Sequence, residues 1–411
     1  MEADAANIQH PRRSYILLLA ANMTWIFGVY LYSNFIGLYM REALGANSVQ
    51  IGYWSTVFLL SILLFTGLGG LLTARFGEKQ TMLLGWLVII PAPIIYLFAV
   101  SWQMTLIGAF LEGASMLAAA PIGAYITSIS GGGRRGRAFG LSSASIALGG
   151  IPSPVLGGLV ISLFGYQLLF LLATVFFVIS TLLILPMSQI RSTREERSEQ
   201  RSWNFLKNHV FIALTLFWFT VSTMFWIVNM FVPLFLFDRW GLVEAQIGAL
   251  GSITNASGTV LGPLMGWVGD RWSYVGALVF TVLGTFGFYG FLVLSPSVIF
   301  LPLIYAISGF IHTFSLLSAI ASHHIPRGQL PDAIAAYNLL GRSLSPLSPI
   351  IGGIAFAVSS ALPLIMASTL LPLPLLLLLF LFLADRSAKR QKRALKDEPL
   401  PPPIEEIHPG L

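Results

Sequence analysis

Long apolar runs separated by short polar breaks repeat along the whole chain. A helix that crosses hydrocarbon needs about 20 mostly apolar residues. Twelve segments meet that pattern, near 15–39, 49–73, 80–100, 104–128, 138–162, 166–188, 210–236, 245–268, 274–295, 298–321, 333–358 and 361–384. Most connections are short, which makes neighbouring helices antiparallel. The first run follows Arg12 and Arg13, but it outlasts the roughly 7–15 apolar residues of a signal peptide and reads as a retained helix. The sixth and twelfth segments are almost wholly apolar and the third nearly so, which suits supports facing lipid. The first, fourth, seventh and tenth instead carry polar stripes at helical spacing. Thr215, Trp218, Ser222, Trp226 and Asn229 share a face of the seventh, and the first offers Asn22, Tyr30 and Ser33. The tenth has Tyr305, Ser308, His312 and Ser315 at i, i+3, i+7 and i+10.

Composition supports the same solvent. Of 411 residues, 56% are apolar and 10% charged, whereas a soluble domain carries about a quarter charged residues. With no cysteine, disulfides, thiolate metal sites and cysteine nucleophiles are excluded. The net charge of +6 lies in short loops and the tail rather than in a basic domain, which argues against nucleic acid. Lys and Arg fall twenty on one side of the expected membrane, from Arg12 to the six after Asp385, against Arg41 and Arg239 on the other. Basic loops resist translocation, so both termini are expected in the cytoplasm of a multi-pass cell-membrane protein. The expected organisation is a tail 1–13, a six-helix bundle 14–188, a polar linker 189–208, a second bundle 209–384, and a basic, then proline-rich, disordered tail 385–411.

The second bundle repeats the first. Displacing the chain by 196 residues lays Phe35 on Phe231, Leu38 on Leu234, Gly45 on Gly241, Gln50 on Gln246, Gly52 on Gly248, Gly70 on Gly266, Arg75 on Arg271 and Gly113 on Gly309. A shift of 195 lays Ser153–Gly158 (SPVLGG) on Ser348–Gly353 (SPIIGG). One offset held over so many Gly, Pro and Gln positions is a duplicated six-helix unit. Parallel repeats about an axis along the membrane normal are a transporter architecture.

The loop Gly70–Lys79 (GLLTARFGEK) and its partner Gly266–Tyr274 (GWVGDRWSY) resemble the GxxxDRxGRK loop of the major facilitator superfamily. SPVLGG and SPIIGG resemble that superfamily's helix-five signature and its helix-eleven counterpart. FLEGAS, Phe110–Ser115, resembles the helix-four pattern RxxxG, with Ala109 where arginine is common. The resemblance spans residues 14–384. It implies an all-α membrane protein of twelve helices in two pseudo-symmetric six-helix bundles, a central cavity lined by helices one, four, seven and ten, and no cofactor. It also implies gating roles for Gly70, Arg75, Gly77, Gly266, Asp270 and Arg271, and for Pro154, Gly157, Gly158, Pro349, Gly352 and Gly353. The first loop departs from the pattern, with Ala74 for aspartate and Glu78 for arginine. A latch there is weakened or made differently.

Two charges lie deep in the predicted helices, Glu112 and Arg342. A charge in hydrocarbon is costly and usually faces protein or water, where it often marks function. Glu112 aligns with Ser308 and reads either as a proton carrier or as a structural hydrogen-bonding group; His312 reads either as a hydrogen-bonded structural histidine or as a second proton relay. Arg342 is expected in the cavity, holding an anion or a carboxylate, or else in a contact between the halves. With Asn22, Tyr30, Ser33, Trp218, Ser222, Trp226, Asn229, Tyr305 and Ser308, it completes the predicted substrate cavity. No P-loop, HExxH or other catalytic cluster occurs, and no metal site is expected. The reading is therefore a monomeric secondary active transporter that moves a small, partly apolar organic molecule by alternating access in proton-coupled efflux, the export direction resting on the resemblance of its helix-five run to drug:proton antiporters. The alternatives are an uptake permease for an organic anion or sugar and a non-transporting sensor or scaffold.

Overall fold

The computed structural model describes residues 11–130, 135–189, 204–326 and 329–383. Among these, eleven helices are long and apolar enough to cross a membrane. They are α1 (Arg12–Glu42), α2 (Ser48–Phe76), α3 (Glu78–Leu97), α4 (Trp102–Ser130), α5 (Gly136–Phe164), α6 (Tyr166–Ile184), α7 (His209–Val228), α9 (Tyr274–Leu294), α10 (Val298–His324), α11 (Asp332–Val358) and α12 (Leu362–Leu383). Between α7 and α9 lies α8 (Glu244–Arg271), whose 28 residues span about 42 Å at the helical rise. It fills the eighth expected segment, 245–268, and is long enough to cross, but Ser252, Thr254, Asn255, Ser257 and Thr259 make it more polar than the other eleven. A short helix, Phe231–Trp240, continues α7 past a turn at Asn229. Residues 1–10 of the first expected tail, the whole of the second, and all but the edges of the expected linker lie outside the described residues; residues 11–13 already belong to a helix that starts at Pro11.

Local chemistry explains why particular residues recur in the repeat. Gly45 and Gly241 close the turns before α2 and α8 with φ of 65° and 62°, where a side chain would strain the backbone. Gln50 and Gln246 reach back to the backbone N–H of Asn47 and Val243, at 2.9 and 3.2 Å, to cap those helices. Asn47 also accepts from the Gln50 N–H, an arm that valine at 243 cannot supply.

The glycines of the repeat set the helix crossings. Within each half, Gly157 of α5 lies on the Leu31 carbonyl of α1, and Gly352 of α11 on the Ile227 carbonyl of α7. Between the halves, Gly158 lies on Glu244 and Gly353 on Ser48, while Gly248 meets the Pro154 carbonyl and Gly52 that of Pro349. Each contact has its duplicate on the other side of a pseudo-two-fold axis. Lipid supplies no hydrophobic drive between helices, so such backbone approach and its van der Waals contact hold them.

These contacts gather at one end, which carries the α1–α2 and α7–α8 turns and is called the far end. There Ser48 donates to the Gly353 carbonyl at 2.8 Å, and Tyr166 to Glu244 at 3.3 Å. Arg41 pairs with Asp238 across the halves at 2.9 Å and with Glu42 at 2.9 Å, its guanidinium over the Phe237 ring. Glu42 and Asp238 are repeat equivalents, as are Arg41 and Phe237, so one arginine clasps two symmetry-related acids. At the opposite end, which holds Arg75 and Arg271 and is called the basic end, a Cβ on Gly67, Gly70, Gly262 or Gly266 would meet nothing within 4 Å. The α2–α11 and α5–α8 seams close at the far end and part toward the basic end.

The clasp is partly exposed, so it is worth at most about 1 kcal/mol, or roughly a five-fold shift in gate opening. Arg41→Ala should raise labelling of a cavity cysteine, Asn34→Cys, from the far side by about that factor. The charge swap Arg41→Asp with Asp238→Arg should restore the slow rate. Equal rates in all three proteins would remove the clasp from the gate.

Candidate functional site

A cavity of about 430 Å³ lies between the halves, beneath the closed far end. Of the residues expected there, Tyr30 and Ser33 (α1), Glu112 (α4), Trp226 and Asn229 (α7), and Tyr305, Ser308 and His312 (α10) line it. Four others do not, which corrects the expected lining. Asn22 is buried against Ser142 at 3.4 Å, and Ser222 against Ser345 at 2.7 Å; both are glue between helices. Trp218 packs on Phe314 and beneath the Arg342 guanidinium, 5.2 Å from its ring centre, and Arg342 is exposed outside the cavity. A polar stripe cannot distinguish the face that meets a neighbour from the face that meets a void.

The lining also draws on helices that the stripes did not single out. From α2 come Trp54 and Phe58, from α8 Thr254 and Asn255, and from α9 Thr285, Phe288 and Tyr289. Asn255 also donates to the Gly150 carbonyl across the halves at 2.7 Å. Eight aromatic rings and a handful of amides and hydroxyls surround one carboxyl and one imidazole. Among the described residues no Lys, Arg or Asp takes part. Such a surface suits a ligand with substantial apolar area and a few hydrogen-bonding groups.

Glu112 is 6% exposed and aimed from α4 into this wall. Its Oε1 accepts from the Tyr96 hydroxyl at 2.7 Å, and that hydroxyl in turn accepts from the Trp54 indole N–H at 3.2 Å. Gly108 makes room for the Tyr96 ring. The Tyr32 ring packs on that of Tyr96, and its own buried hydroxyl also faces the Glu112 carboxylate. Neither tyrosine was singled out from the sequence: Tyr96 lies on α3, which reads as a lipid-facing support, and Tyr32 lies on α1 but off the residues Asn22, Tyr30 and Ser33 that marked its stripe. A hydroxyl in a run otherwise apolar was the only signal. In the second half, Ser308 takes the place of Glu112 and shares a hydrogen bond with Thr254 at 2.6 Å. The pseudo-symmetry thus sets a hydroxyl pair opposite a carboxyl.

Both wall helices lose their α-helical form at this depth. Residues Ser115–Ala118 of α4 and Gly309–Thr313 of α10 are 3-10 turns, beginning three residues after Glu112 and directly after Ser308. Mid-helix 3-10 turns often mark hinges. His312 lies in the second, its ring against Gly258 of α8.

Of the residues expected to gate, those of the two loops stand in the splayed end, whereas the SPxxGG residues pack at the far end. Asp270 accepts a short hydrogen bond from Tyr274, Arg271 lies over Trp267 and Arg75 over Phe76. Each of these contacts stays within its own half. In the first loop Gly77 turns the chain with φ of 88°, and Glu78 is buried at the start of α3. Pro154 and Pro349 sit in the first turn of helical segments restarted at Ser153 and Ser348, after breaks in α5 and α11.

The sequence pattern of the Major Facilitator Superfamily matches residues 18–349. Among solved structures, the chain is similar to the nucleoside transporter NupG, with 13% identity and a TM-score of 0.72 over 90% of this chain and 99% of that one. It is similar to a bacterial homolog of the human lysosomal transporter Spinster in an inward-facing, unoccupied conformation, with 13% identity and a TM-score of 0.71 over 92% and 98%. A peptide transporter POT in complex with sulfate matches with 16% identity and a TM-score of 0.72 over 95% and 98%.

Proposed function

The chain belongs to the Major Facilitator Superfamily, and from that premise we propose that this membrane transporter is a proton-coupled exporter of a small, partly apolar organic molecule. The observation that carries the reading is the Glu112 carboxyl, set in the wall of a central aromatic cavity and held by Tyr96. A carboxyl that meets a different solvent on each side of an alternating cycle can load a proton on one side and release it on the other. His312 is the second proton candidate in the same wall. The export direction rests on the likeness of SPVLGG to antiporter helix five. The remaining parts of the proposal are a monomer, six helices to each half joined by the linker 189–208, gating by the two basic-end loops, and a cytoplasmic basic end.

In proteoliposomes, a ligand found by thermal-shift screening should drive proton movement opposite to its own. Ligand flux indifferent to an imposed pH gradient would overturn the coupling. A Val243→Cys label should react from outside cells and an Ala388→Cys label only after permeabilisation; the reverse would invert the orientation.

A further inference from the structure

Among the described residues Arg342 has no acidic partner. The ion pairs among the described residues are Arg41 with Glu42 and Arg41 with Asp238, so neither Glu78, Asp270 nor Asp332 of the basic half neutralises it. Yet it lies ten residues into α11, about 15 Å from that helix's start. It is exposed there because the seams part toward the basic end and leave a vestibule below the cavity. Its neighbour Trp218 shares a face of α7 with Asn229 of the cavity wall, eleven residues or about 16 Å further on. The arginine therefore stands on the path between the basic end and the cavity.

The vestibule must shut when the carrier turns over. Closure would then bury a lone guanidinium, which is strongly unfavourable unless a counter-charge arrives with it. We propose that the transported molecule supplies that counter-charge: an organic carboxylate whose acid group docks on Arg342 while its apolar body fills the aromatic cavity. The face of the guanidinium rests on the Trp218 indole, whose own N–H is buried without a partner. That stacking leaves the N–H edge for a planar, two-oxygen group, the geometry in which arginine binds carboxylates. Nothing in the cavity competes for a cation except Glu112, which its tyrosine already engages. The inference rests on the transport reading for its purpose, but the site can be tested by binding alone.

The probes are 4-phenylbutanoate, 4-phenylbutanamide and 4-phenylbutylamine, identical but for the head group. Binding to the full chain in lipid nanodiscs is read by equilibrium dialysis, with tryptophan fluorescence as a second reporter. The wild type should bind the carboxylate about tenfold more tightly than the amide, as a charge-assisted pair requires. Arg342→Gln should remove that preference while leaving the amide within about two-fold, and Arg342→Lys should keep part of it. An unchanged preference in Arg342→Gln, tightest binding of the amine, or no binding of the carboxylate at millimolar concentration would each overturn the proposal. Flux is scored separately in proteoliposomes. Carboxylate preference without flux supports the site and counts against the transport reading, whereas flux without preference does the reverse.

Discussion

Glu112→Gln should abolish proton-driven accumulation while leaving ligand exchange at equal pH within a few-fold of wild type. The amide is nearly isosteric with the protonated acid, and its oxygen can still accept from the Tyr96 hydroxyl that holds Oε1 at 2.7 Å. Packing around the site is therefore kept, including Gly108 beneath the tyrosine ring. What is lost is a group that can release its proton. A carrier fixed in the neutral form can still bind ligand and turn over, but it cannot link that turnover to a pH gradient. The measurement is uptake of a screened radiolabelled ligand into proteoliposomes, with and without a gradient, beside counterflow with ligand on both sides. Full gradient-driven accumulation by the variant would rule out Glu112 as carrier and move the question to His312. Loss of both activities would instead make Glu112 a structural or ligand-binding residue.

Gly157→Val and Gly352→Val should each destabilise the protein severely, and about equally. A Cβ at Gly157 would run into the Leu31 carbonyl, and one at Gly352 into the Ile227 carbonyl. The obstruction is backbone, which cannot rotate away as a side-chain end can. Relief requires α1 and α5, or α7 and α11, to move apart at contacts buried on both sides. Overpacking of that kind costs about 1–3 kcal/mol and sometimes more, and it removes the close approach that holds helices together in lipid. Gly140→Ala, where a Cβ meets nothing within 4 Å, is the control. Expected are a fall of several degrees in the melting temperature and loss of monodisperse protein for both valine variants, with the control unchanged. Normal stability of either valine variant would contradict the packing described for that half.

The sequence was a good guide where a residue's role is local. Gly45 and Gly241 recur because a turn needs positive φ, and Gln50 and Gln246 because a helix start needs a partner for its backbone N–H. The doubled SPxxGG runs mark places where two backbones meet, which only glycine allows. For these the 196-residue offset carries the information, since duplication preserves what the backbone demands. Glu112 was legible for a related reason, because an acid in an apolar run must have partners or water.

The polar stripes were a poorer guide. Asn22 and Ser222 lie on the same kind of face as Tyr30 and Asn229, yet they close on Ser142 and Ser345 instead of on the cavity. Helix α8 shows the converse: its segment was not among those read as polar-striped, yet Thr254 and Asn255 stand in the cavity wall. Periodicity alone thus fixed the number of helices, their pairing by duplication and the membrane as solvent, because each follows from local hydrophobicity, turn chemistry and backbone contact. Only the tertiary structure decided which polar face meets a void, that Tyr96 and Trp54 attend Glu112, that Arg342 stands in an open vestibule, and which end is shut. The shut end and the open vestibule depend on how far two bundles tilt against each other, and the Glu112 cluster on how α2, α3 and α4 pack within one bundle, relations between separate helices that no local pattern encodes.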